Sequence, residues 1–121
     1  MSKNTTEKDI VKSVFITDND TGDKYELDFS RDTVRFAEDR KFVIDEVSKF
    51  PTTKISELFW YAFRMHHKRM TQAQTDKIIE KMGGMSPELL QRLMELYMQA
   101  SYSGLVADED EAKNSSVTVE L

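Results

Sequence analysis

From Val11 the chain alternates, with Val11, Ser13, Phe15 and Thr17 interleaved with Lys12, Val14 and Ile16, and β-branched and aromatic residues dominate. Such a run predicts a strand of about seven residues with one face more apolar than the other. The segment Asp18-Asn19-Asp20-Thr21-Gly22-Asp23 is dense in residues that tolerate turn geometry. After it, Tyr25, Leu27 and Phe29 alternate with Lys24, Glu26 and Asp28, a period-2 pattern. The two runs predict a β-hairpin over residues 11–29 with a longish loop.

From Ser30 onward the apolar period lengthens to that of a helix. Ser30 is placed to cap a helix over 31–41, with Val34 and Ala37 on one face and Phe36 beside it. Ile44, Val47 and Ser48 suggest a short helical piece over 44–49, ended by Phe50-Pro51 because a residue before proline disfavours the helical region. Thr52 or Thr53 can cap the longest segment, over 53–70. There Ile55, Leu58, Phe59, Ala62, Phe63 and His66 form one face, and Trp60, Tyr61 and Met65 widen it. A helix apolar nearly all round is either central in its domain or partly covered by another chain. Thr71 and Gln74 form a capping-box pair for a helix over 72–82, with Lys81 near its end and Gly83-Gly84 to stop it. Ser86-Pro87-Glu88 opens a last helix over 87–103. Leu89, Leu93, Leu96 and Ala100 lie on one line there, Leu90, Met94, Tyr97 and Ser101 lie beside it, and Gly104 takes the C′ position. The expected fold is α+β, mainly α: an N-terminal β-hairpin followed by a compact bundle of four to five helices. One domain spans 11–104, after a flexible arm over 1–10 and before a disordered acidic tail over 105–121. Val117, Val119 and Leu121 alternate at the end of that tail, as a frayed terminus or a short strand offered to a partner.

Length and composition narrow the class. A chain of 121 residues has room for one domain, and 39% hydrophobic with 32% charged residues lies above the disorder regime. With no cysteine, a disulfide framework, a thiolate zinc site and a thiol nucleophile are excluded. No stretch approaches the ~20 apolar residues of a membrane span, and the opening MSKNTTEKD lacks a signal-peptide core. A soluble protein of a reducing compartment is therefore expected, without membrane partners. Net charge is −5, from 22 acidic and 17 basic side chains. Asp108, Glu109, Asp110, Glu111 and Glu120 against Lys113 place −4 of it in the tail and leave −1 in the body. That balance argues against nucleic acid, which usually leaves a broad basic footprint.

Candidate chemistry is sparse. Asp18, Asp20 and Asp23 suggest the start of an EF-hand, but position 6 of such a loop would be Asp23 instead of glycine, and position 12 would be Phe29 instead of glutamate. A turn is the better reading. His66 and His67 are adjacent, so on a helix they diverge by about 100° and cannot share one metal. Met82-Gly83-Gly84 lacks the lysine and hydroxyl residue of a phosphate loop, and no serine sits in a nucleophile elbow. Neither an enzyme nor a cofactor or metal site is expected.

The order of pieces resembles a known family. A hairpin ends in LDFSRDTVRFAEDRKF, a proline precedes ISELFWYAFRMHHKRMT, and then come QTDKIIEKMGG, the SPELLQRLMELY helix and an acidic tail. Over about residues 12–104 this resembles the tail assembly chaperones of long-tailed bacteriophages, especially small ones from phages and prophages of Gram-positive bacteria. The LFWYAF-x-x-H helix at Leu58 to His67 and the Thr71 to Tyr97 segment are its most specific parts. The resemblance implies a protein of the infected host's cytoplasm that coats the tape-measure protein, keeps it soluble and helps recruit tail-tube subunits. It then leaves and is absent from the virion. In many such phages a frameshift makes a longer form with a tube-binding domain.

Six of the seven methionines fall between Met65 and Met98, and methionine suits a surface that accepts varied apolar side chains. Trp60, Tyr61, Met65, Met94, Tyr97 and Met98 lie outside the narrowest core stripe and are the candidates for client binding or self-association. The rival readings are a structural virion component, such as a head–tail connector or tail-completion protein, and a small regulator binding nucleic acid through Arg64, Lys68 and Arg69.

Overall fold

A computed structural model of the protein describes residues 10–103 and 116–121. The predicted arm except Ile10, the tail up to residue 115 and the capping role of Gly104 lie outside the described residues. Residues 116–121 form neither helix nor strand, and their side chains are exposed.

The antiparallel hairpin consists of β1 (Val14–Thr17) and β2 (Lys24–Leu27), with Val14 opposite Leu27 and Ile16 opposite Tyr25. Both strands are shorter than the alternation suggests, because backbone groups beyond them bond elsewhere. Val11 exchanges two hydrogen bonds with the side-chain amide of Gln99, its N–H donating over 2.8 Å and its carbonyl accepting over 3.0 Å. The Asp28 N–H donates to the Ala62 carbonyl at 3.0 Å. In the loop, the Gly22 N–H returns to the Asp18 carbonyl with glycine at φ 81°, a conformation costly for a residue bearing a Cβ.

Helix α1 (Arg31–Asp39) starts where predicted, with the Ser30 hydroxyl accepting from the Thr33 N–H. It ends two residues before the predicted 41. Lys41 turns left-handed at φ 69°, and the Phe42 N–H bonds back to the Ala37 carbonyl, which swings Phe42 into the core. The helix predicted over 44–49 is a single 3-10 turn, Ile44–Glu46. The proline assigned to stopping it instead opens the next helix, α2 (Pro51–Arg64), at N1. There a missing N–H costs nothing and the fixed φ is already helical. Neither Thr52 nor Thr53 is therefore the cap; Phe50 holds that position without a side-chain bond.

Helix α2 also stops at Arg64, short of the predicted 70. Two side-chain bonds hold residues 65–70 off the helix axis: His67 Nε2 accepts from the Glu26 N–H at 2.9 Å, and the Trp60 indole N–H donates to the Met70 carbonyl at 2.9 Å. Helix α3 (Gln72–Met82) matches its prediction, with the Thr71–Gln74 capping box formed and Gly83 left-handed at φ 76°. Helix α4 (Pro87–Tyr102) follows the Ser86 cap.

The fold is thus a two-stranded hairpin ahead of a mainly helical body. Helix α2 is its axis, touching β2, the 3-10 turn and the other three helices. Leu58, Phe59, Tyr61, Ala62 and Phe63 of α2 are buried, covered by Leu27 and Phe29 on one side and by Leu93, Leu96 and Ala100 of α4 on another. Helix α3 buries only Thr75, whose hydroxyl donates to the Gln72 carbonyl. Among the described residues, no helix is long and apolar enough to cross a membrane.

Candidate functional site

Helix α4 has two apolar faces. Leu93, Leu96, Tyr97 and Ala100 enter the core. Leu90, Met94 and Met98 repeat every four residues on an adjoining line that no other element covers fully, and Met98 remains 40% exposed. With Val11 and Pro87 they line an open groove of about 740 Å³, whose rim carries Gln91, Glu95 and Gln99. The Val11–Gln99 hydrogen bonds fix one wall, because they hold the approach to β1 against the last turns of the helix. The result is an apolar trough with a polar edge, in which Glu95 is the one ionisable side chain among the lining residues.

The six residues singled out from sequence part company here. Met94 and Met98 share the groove. Met65 is exposed at the far end of α2, beside His66 and Lys68. Trp60 is half-buried, its N–H tied to Met70 and its ring beneath the Arg40 guanidinium at 5.2 Å. Tyr61 and Tyr97 are core residues, 2% and 3% exposed, and cannot belong to an open flank. Tyr61 lies edge-on to Phe36 and Phe42, and Tyr97 to Phe29 and Phe42. Helix α2 is wrapped on nearly every side, so residues flanking its narrow stripe still face protein. Leu90 and Pro87 also line the groove but are not among the six sequence candidates, although Leu90, Met94 and Met98 form a legible i, i+4, i+8 series.

Burial pushes the Tyr97 phenol up to about 12, with the Glu38 carboxylate adding to the effect. Tyr61 is raised too, first by burial and then by Glu57. In the hairpin loop, the Lys81 ammonium lies 2.6 Å from Asp18 and 3.3 Å from Asp20. It holds the Asp18 carboxyl below its ordinary range, chiefly through that hydrogen bond, and the loop's acids thereby clamp the end of α3. Among the basic residues weighed for nucleic acid, Arg64 is engaged, its guanidinium 3.7 Å above the Phe36 ring.

His66 and His67 have separate partners. His67 is used by the hairpin backbone, whereas His66 Nε2 lies 3.6 Å from a Glu26 carboxylate oxygen. Glu26, Asp28 and His66 bring three potential ligand atoms within 4.8 Å of one another. The sequence offers half of that signal, since residues two apart on a strand share a face. Nothing in the spacing ties His66 to them.

The chain belongs to the family described as a domain of unknown function (DUF5055), which matches residues 1–121. No curated protein and no solved structure matches it significantly.

Proposed function

We propose that the protein is a tail assembly chaperone of a long-tailed bacteriophage, acting in the host cytoplasm without catalysis. It lays apolar helical stripes of the tape-measure protein into the α4 groove, keeps that client soluble, helps recruit tail-tube subunits and then leaves. The observation that carries this reading is the line Leu90, Met94 and Met98, left partly open along a 16-residue helix. At 1.5 Å per residue the helix is about 24 Å long, enough for roughly four turns of a client helix. Thioethers on flexible stems accept many partner side chains, as a client with varied apolar stripes requires. The glutamine and glutamate rim keeps the empty groove wetted at its edges. The resemblance in element order supplies the client's identity.

Co-expression with the tape-measure protein encoded beside it tests the reading. The wild-type chain should raise the soluble fraction of the tape measure at least several-fold and co-purify with it. Met98→Glu alters an exposed position, so the chain should fold normally by circular dichroism yet lose most of that effect. An insoluble tape measure despite abundant wild-type chain would overturn the proposal. So would finding the chain in purified virions, which is the outcome for a structural tail component.

A further inference from the structure

We infer that Glu26, Asp28 and His66 form a binding site for one divalent first-row transition-metal ion, with zinc the best fit. Glu26 lies in β2, where alternate residues share a face, and Asp28 follows two residues on, just past the strand's end. His66 arrives from the turn after α2. Their ligand atoms lie within 4.8 Å of one another, and His66 Nε2 is already 3.6 Å from Glu26 Oε2. Ligands about 2.0–2.2 Å from a tetrahedral ion are roughly 3.4 Å apart. Small side-chain rotations therefore close the site around an ion.

The backbone beneath the three residues is held independently of any ion. The Glu26 N–H donates to His67 Nε2, the Asp28 N–H to the Ala62 carbonyl, and the His67 N–H to the Phe63 carbonyl at 2.7 Å. Each carboxylate also has one oxygen positioned from outside the trio: Ser13 Oγ donates to Glu26 Oε2, and the Phe29 N–H to Asp28 Oδ1. Such outer hydrogen bonds orient metal ligands in established sites.

The charge around the trio is compatible with that geometry. Among the described residues, Asp18 and Asp20 are matched by Lys81, and Glu46 and Glu57 by Lys54. Among the same described residues, Glu26 and Asp28 have no lysine or arginine within ion-pair distance, and the Glu26 carboxylate faces the His66 imidazole. Two carboxylates converging on an imidazole without a protein cation present a place for an external one. One nitrogen with two oxygens suits zinc, manganese or ferrous iron better than calcium or magnesium, which favour all-oxygen shells. Three protein ligands leave a coordination position for water. A bound ion joins the hairpin to the turn that follows α2.

Isothermal titration of the full chain with zinc chloride at pH 7, alongside thermal melts, tests the site. One ion per chain and a higher melting temperature are expected. Glu26→Gln and His66→Ala, both at solvent-accessible positions, should fold normally and bind zinc at least about a hundredfold more weakly. Absence of zinc binding at micromolar concentration would overturn the inference. Equal binding by wild type and both variants would do so too, by placing the ion elsewhere.

Discussion

Phe63→Ala is expected to destabilise the protein by about 4 kcal/mol, within the range for emptying a buried phenylalanine site. The residue is 0% exposed near the C-terminal end of α2. Its ring lies 5.0 Å from Phe59 and 5.2 Å from Tyr25, so the cavity would open where the hairpin meets the helical body. Neighbours on two different elements cannot both collapse into that space without breaking the strand register or shifting the helix. Domains of this size usually hold 5–15 kcal/mol in total, so the variant would retain a fraction of its stability. At roughly 4–8 °C per kcal/mol the melting temperature should fall by about 15–30 °C, as read by circular dichroism. A shift of only a few degrees would mean that α2 is not the axis of the core.

The second large effect is an alkaline loss of stability. The folded chain holds the Tyr97 proton up to about pH 12, against an ordinary value of 10.0, because the buried ring resists carrying charge. Tyr61 shifts in the same direction. In the window between those values the folded state binds more protons than the unfolded state, so stability falls as pH rises. The contribution is intact below pH 10 and is lost progressively toward about pH 12, at up to about 1.4 kcal/mol per pH unit for one tyrosine. Melts at pH 8, 10 and 11 should show that decline. Tyr97→Phe, which removes the titrating hydroxyl and keeps the ring, should flatten it with little change at pH 8. An unchanged slope in the variant would assign the decline to other groups.

Local chemistry made several elements legible. The Ser30 and Ser86 caps, the Thr71–Gln74 box and the Gly83-Gly84 stop lie where the sequence placed them, because each depends on residues within a few positions. The misreadings arise where a distant group intervenes. His67 and Trp60 end α2 early through partners on β2 and in the following turn. Gln99 and Ala62 take backbone bonds that would have lengthened the strands. Pro51 was ambiguous in itself, since the same ring that ends one helix can begin another. The candidate surface was half legible. Met94 and Met98 line the open groove, whereas Tyr61 and Tyr97 are buried, because apolar periodicity measures the width of a face without showing what covers it.

The fixed geometry of Trp60 makes it a built-in optical reporter. It is the chain's single tryptophan, and its indole is hydrogen-bonded to Met70, stacked under Arg40 and edge-on to Phe36. Tryptophan emission from the native protein therefore comes from one environment, at the meeting of α1, α2 and the turn that leads into α3. Because Trp60 is not among the residues lining the α4 groove, a ligand seated there has no direct route to its spectrum. A fluorescence change on adding a client would report strain carried through the helical body, and an unchanged spectrum would mark docking onto a rigid scaffold.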